Sequence, residues 1–186
     1  VTPGWIPPLI SLMENDPAIA AVQPKIKNWQ KRDEFEYAGA AGGFIDKLGF
    51  PFCRGRILNV HEKDESQYDG ISPVFWASGA CMAVRAEAFR KAGGFDPDFW
   101  AHMEEIDLCW RLKNMGYQVM YTHLSTVYHL GGGSLPYHSP RKLYLNFRNS
   151  LIVLTKNLRT RMLLLRILHR FLLDDMAALK FLLEGH

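Results

Sequence analysis

The sequence predicts an α/β fold, and three features carry that prediction. Residues 7–22 read as a helix followed at once by a short apolar strand, and residues 104–122 repeat the same helix-to-strand passage. Between them, strand-like runs at 74–84 give way to a short helix closed by paired glycines. After residue 139 the apolar period is helical throughout, so the C-terminal end is expected to be helices.

Taken in order, Pro7 and Pro8 suit the first turn of a helix, where a missing N–H costs little, and Leu9, Leu12 and Met13 give that helix an apolar stripe. Asn15-Asp16-Pro17 ends it. Residues 19–22 form an apolar run, a buried strand that Pro24 is expected to close. From Lys25 to Gly70 the pattern weakens into charged turns and glycines (Gly39, Gly42, Gly43, Gly49, Gly55). Such glycines suit loops passing close to a ligand, but flexible surface excursions look the same and are the preferred reading. Val74-Phe75-Trp76 and residues 81–84 read as strands about a turn at Ser78-Gly79. Residues 86–92 make a short helix stopped by Gly93-Gly94, and a turn at 95–99 follows. Leu108, Leu112 and Met115 repeat at helical spacing until Gly116 stops them. Residues 118–122 and 126–128 alternate as strands do. Ser139-Pro140 is expected to cap a helix running to about Asn157. In the last helix, at about 160–183, apolar residues cover much of the circumference while Arg166, Arg170 and Asp174 hold a narrow polar strip. The expected division is therefore 1–157 and 158–186.

Composition bounds the function. With 186 residues, 48% apolar and 22% charged, the chain has the balance of a folded protein with a real core. A net charge of +3 is too small to indicate nucleic acid. Cys53, Cys81 and Cys109 are odd in number and lack a CxxC spacing, so neither a disulfide framework nor a zinc knuckle is indicated, and a reducing compartment fits. No signal peptide is visible, and no apolar run approaches the ~20 residues of a membrane-spanning helix. The chain starts Val1-Thr2-Pro3-Gly4-Trp5 without an initiator Met, and is expected to be an excised piece.

The chemistry is expected between Trp100 and Arg111. Glu104, Glu105 and Asp107 crowd three carboxylates into four positions after an aromatic approach of Phe95, Phe99 and Trp100. A helix N-terminus favours one or two acids, because its unpaired N–H groups and macrodipole are positive. The third, with His129 and a triple glycine downstream, points to an acid/base and metal site. Capping alone, or an ion pair of Asp107 with Arg111 four residues on, is the plainer explanation of the same residues. His129 ends a strand, where a histidine is either a metal ligand or simply hydrogen-bonded. Gly131 to Ser134, including Gly132, offer backbone N–H groups for phosphate oxygens, with Arg141 and Lys142 close in sequence. Trp76, Phe99 and Trp100 are candidates to stack on sugar rings, and core packing is the alternative for at least one of them.

These residues resemble the second half of family 2 glycosyltransferases of the GT-A fold, of the bacterial rhamnosyltransferase-like type. Val1–Trp5 resembles the segment after that family's metal-binding Asp-x-Asp, and Gln23-Pro24-Lys25 the end of the next strand. Trp76-Ala77-Ser78-Gly79-Ala80-Cys81 resembles its strand entering the acceptor region. Gly93-Gly94-Phe95-Asp96 with Glu104-Glu105-Ile106-Asp107-Leu108 resembles its GGFDE…EDxDL signature, and His129 to Ser134 its H-x-x-G-x-S segment. Glu104-Glu105 stands where the family usually has Glu-Asp.

The resemblance implies a partial GT-A domain, mixed-sheet and Rossmann-like with C-terminal helices, in which 1–157 is the acceptor-side half. It implies an inverting, metal-dependent transferase that moves a sugar from a nucleotide-diphosphate donor to a glycan or lipid-linked acceptor, with Mn²⁺ or Mg²⁺ in the intact enzyme. Glu105 would be the base, Glu104 and Asp107 its catalytic neighbours, and His129 a metal ligand. Trp76, Ser78, Gly79, Trp100, Gly132, Ser134 and Arg141 would contact substrate. The rival reading is a non-catalytic module that binds carbohydrate or a partner. The last helix would either lie on the inner face of the cytoplasmic membrane through Leu165, Leu168 and Leu172, with Arg166 and Arg170 at the headgroups, or pack against the missing parts of the protein. Without its N-terminal half the chain is expected to self-associate and to be inactive alone.

Overall fold

The computed structural model describes residues 1–57, 60–131, 139–159 and 161–183. Helix α1 (Pro7–Asn15) has Pro7 at its first position and leads into β1 (Ile19–Asn28). β1 pairs in parallel with β8 (Gln118–His129), the passage the two helix-to-strand units predict. Short antiparallel strands flank this pair, β6 (Ile71–Pro73) on β8 and β7 (Ala83–Val84) on β1, giving the order β6-β8-β1-β7. The mixed sheet of the expected α/β GT-A fold is thus present. α1 packs Leu9 and Met13 on Ile19 and Val22. The larger core lies where Ala21, Val119 and Tyr121 meet Leu108 and Leu112 of α3 (Glu104–Asn114) and Val153 and Leu154 of α4 (Pro140–Asn157).

Two strand readings are corrected. Pro24 does not close β1, whose first eight residues are all buried. The proline is tolerated because the β1–β8 register shifts between Pro24 and Lys25, and a bulge is where a strand can spare an N–H. The same shift explains the break between Thr122 and Thr126: β8 is one strand that bulges there. Its bulged residues are tied down, Ser125 Oγ donating to the Trp5 carbonyl at 2.6 Å.

The glycine-rich segment is not a flexible excursion. It folds into small hairpins, β2 (Gly43–Ile45) with β3 (Pro51–Cys53) and β4 (Arg56–Ile57) with β5 (Val60–His61), and buries Phe35, Ala40 and Ala41 completely. Gly43 lies flat against Trp76, where a Cβ would come 2.0 Å from the indole. That close approach, and not mobility, demands the glycine.

α2 (Ala86–Lys91) ends as expected, with φ of 84° and 70° at Gly93 and Gly94. A 3₁₀ turn, Pro97–Phe99, follows. Ser139 precedes α4 but its side chain caps nothing; Pro140 at the first position starts the helix instead. Helix α5 (Leu163–Leu183) leaves Leu165, Leu168 and Leu172 outward as expected, but not Arg170. Arg170 is fully buried, with its guanidinium 3.8 Å from the Phe50 ring, donating to the Leu48 carbonyl at 3.1 Å and to Ser150 Oγ at 2.7 Å, beside Asp174. The polar strip faces the protein, so Arg170 does not sit with headgroups, while Leu165, Leu168 and Leu172 stand in solvent. No helix among the described residues is long and apolar enough to cross a membrane.

Candidate active site

The site is built on the loop that enters α3. Trp100, His102 and Met103 all take positive φ, 57°, 68° and 76°, which non-glycine residues avoid, and such backbone concentrates at functional sites. Met103 is the N-cap, so Glu104 and Glu105 emerge directly from this left-handed turn as the first two residues of the helix. Glu105 packs against Gly79, where even an added Cβ would lie 3.7 Å from its side chain. The Ser78-Gly79 turn is in turn held by Gln23 of β1: its Oε1 accepts from Ser78 N at 2.7 Å and its Nε2 donates to the Gly39 carbonyl at 2.8 Å. Ala80 N donates to Ser78 Oγ at 3.1 Å.

Burial pushes the Glu105 carboxyl up to about 7, with the neighbouring Glu104 charge adding to the shift, while the backbone N–H groups of Gly79, Glu105 and Ile106 restrain it. One oxygen of each glutamate, Oε2, is buried without a hydrogen-bond partner. A carboxyl with an uncommitted oxygen and a pKa near neutrality can accept a proton from an incoming hydroxyl at neutral pH. Cys109, below Glu105 on α3, accepts from Ala77 N at 3.4 Å, and burial holds its thiol up at about 12.

Asp107 sits apart in its bonding. It is fully buried, and both oxygens are engaged: Oδ2 accepts from Arg111 Nε at 2.8 Å, Arg111 Nη2 at 2.7 Å and Lys156 Nζ at 3.0 Å, and Oδ1 from Asn157 Nδ2 at 2.7 Å. The Arg111 pair weighed from spacing is therefore present, and α4 completes it. Trp76 is 6% exposed, with its Nε1 donating to the Phe44 carbonyl at 2.8 Å and its ring on Gly43, so core packing is the role the structure gives it. Trp100 is 61% exposed and carries the Arg141 guanidinium 4.2 Å from its ring, which brings those two residues together. Gly132 and Ser134 lie outside the described residues.

His129 ends β8, as expected. Its Nδ1 lies 3.3 Å from Glu36 Oε1, and that carboxylate raises the imidazole's pKa against the lowering effect of burial. Among the described residues no group of three or more His, Cys, Asp or Glu side chains could hold a metal ion. The described residues do not by themselves make a Mn²⁺ or Mg²⁺ centre.

Two polar residues near the glutamates went unremarked in the sequence. His102 has a buried, unpartnered Nε2, and burial, with Lys142 nearby, lowers its pKa. Asn149 of α4 is wholly buried, its Nδ2 contacting the carbonyls of Phe99, Ala101 and His102. Its only sequence signal is an asparagine, a poor helix former, in mid-helix.

The chain is similar to several known proteins. It is 31% identical over 134 residues to the N-acetylglucosaminyl-diphospho-decaprenol L-rhamnosyltransferase of Mycobacterium tuberculosis, covering 68% of this chain and 42% of that protein. It is 40% identical over 48 residues to the rhamnosyltransferase WbbL of Escherichia coli K12, covering 26% of this chain and 18% of that one. The chain thus spans less than half the length of these relatives. Among solved structures, GalNAc-T7 with UDP, GalNAc and Mn²⁺ superposes with a TM-score of 0.52 at 17% identity, over 82% of this chain and 29% of that one, a likeness of fold. The family model for glycosyl transferase family group 2 matches residues 8–173, and the chain belongs to that family.

Proposed function

We propose that this chain supplies the acceptor side of an inverting glycosyltransferase, with Glu105 as the general base. The observation that carries the proposal is the Glu105 carboxyl, raised to about 7 at the start of α3 and packed on Gly79. In the reaction, Glu105 takes the proton from an acceptor hydroxyl, whose oxygen bonds to the anomeric carbon from one face. The bond from that carbon to the diphosphate breaks on the other, and the nucleoside diphosphate leaves with the electron pair. Glu104 keeps the base raised and positions it. Trp100 offers an exposed indole for a sugar face, with Arg141 beside it for a phosphate. Asp107 holds α3 to α4 and takes no proton in this scheme.

The rhamnosyltransferases among the relatives support L-rhamnose as the donor sugar and a glycan or lipid-linked acceptor. A divalent cation, where used, would screen the leaving diphosphate, and its ligands would have to come largely from beyond the described residues. Thermal shift of the full-length protein with UDP, GDP and TDP sugars plus Mn²⁺ tests the reading. One nucleotide series is expected to raise Tm, by mass action on the folded state. No shift with any of them would leave the non-catalytic module as the better account.

We also propose that α5 rests on an anionic bilayer. Leu165, Leu168 and Leu172 are exposed at 48%, 54% and 62%, Arg159 and Arg161 lie just before α5, and α5 carries no acid before Asp174. Deleting everything after Asn157 from the full-length protein is expected to abolish co-sedimentation with phosphatidylglycerol vesicles. Undiminished co-sedimentation would assign the face to protein contact.

A further inference from the structure

We infer that Asn149 is a positioning residue for the transfer reaction, fixing the left-handed loop that delivers Glu104 and Glu105 to the site. The inference rests on the role proposed for Glu105, but the geometry behind it is separate. A residue's φ sets the orientation of the peptide plane that precedes it, since that plane is rigid. The positive φ values of Trp100, His102 and Met103 therefore turn the planes that carry the carbonyls of Phe99, Ala101 and His102. Those are the three carbonyls around Asn149 Nδ2, at 3.0, 2.8 and 2.8 Å, which share its two N–H groups. One side chain holds every plane that the unfavourable conformation turns.

The orientation of the amide is fixed as well. Its Oδ1 accepts from Arg148 Nη1 at 3.0 Å, and the same nitrogen donates to the Asp98 carbonyl at 3.0 Å, so α4 grips the approach to the loop at two successive residues. Asparagine contributes nothing to α4 as a helix former. Its presence is explained by what it bonds to. Removing the amide takes the side-chain donor from the Ala101 and His102 carbonyls, leaves the Phe99 carbonyl only the Ala101 N–H, and lets the loop relax toward negative φ. Met103 being the N-cap, the first residues of α3 move with it.

In the full-length protein, Asn149→Ala and Asn149→Ser are compared with the parent in sugar transfer from UDP-, GDP- or TDP-L-rhamnose, whichever it turns over. The temperature is one at which circular dichroism shows every variant folded. The expected result is a kcat lower by about tenfold or more at nearly constant donor KM. The acid limb of the kcat/KM profile should also move to lower pH, because a loosened loop lets water reach the base. The groups around Glu105 are Glu104 and Cys109 on α3, with His102 and Lys142 beyond Glu104, and none of them is altered. Parent-like kcat with an unmoved limb overturns the inference. So does a fall in kcat with an unmoved limb, which loss of folded protein alone produces. If Asn149→Ala does not fold, Asn149→Ser, which keeps a small donor, is judged by the same two readouts. Glu105→Gln run in parallel separates the two claims. Near-normal turnover there overturns the base assignment, whereas an inactive Glu105→Gln beside silent Asn149 variants overturns this inference alone.

Discussion

Glu105→Gln is expected to lower turnover by ~10²–10⁴-fold, the range a general base contributes, with donor affinity nearly unchanged. The substitution keeps the shape of the side chain on Gly79 and removes only its capacity to take a proton. Turnover by the parent should rise with pH through about 7, since the base must be ionised to act and its carboxyl titrates there. The residual activity of Glu105→Gln should lack that limb. Steady-state kinetics from pH 5 to 9 measure both effects, and near-normal turnover in the variant would transfer the role to Glu104.

Asp107→Ala should instead act on stability, with a loss of about 3 kcal/mol. Breaking a buried, hydrogen-bonded ion pair by removing one partner costs ~3–5 kcal/mol. The low end applies because the stranded donors keep other acceptors. Arg111 still bonds the carbonyls of Ala92 and Gly94, Lys156 still reaches Asp96 at 2.6 Å, and Asn157 keeps the Val153 carbonyl at 3.1 Å. Urea unfolding monitored by circular dichroism measures the loss. A stability equal to the parent's would mean that α3 and α4 are held by their apolar contact alone.

The difference between these two carboxylates marks how far the sequence can be read. The helices described announce themselves by apolar period or by proline or glycine punctuation, and Glu104 with Glu105 stands out at a helix start. Spacing alone pairs Asp107 with Arg111, but Lys156 and Asn157 lie about 50 residues away and no local pattern brings them in. The place of Arg170 on α5 fails for the same reason. A strip of Arg170 and Asp174 beside so many leucines reads as the wet side, and only the Phe50 ring and the Leu48 carbonyl, 122 residues earlier, turn it inward. Strands of two or three residues carry too few positions for a period, so the segment 25–70 looked structureless although its core is dry. The left-handed loop was illegible too, since none of its three residues is a glycine.

The half-buried Glu105 also ties folding to proton uptake. Its carboxyl ionises near 4.5 in an unfolded chain and near 7 in the folded one, so between those values the native state binds more protons than the denatured state. By linkage, this group's contribution is fully retained below about 4.5, declines as pH rises through the interval, and is gone above about 7. The ionised form that can accept a proton is therefore the form the fold least favours. In the role proposed for Glu105, proton capture from an acceptor hydroxyl would return this carboxyl to the form the fold favours.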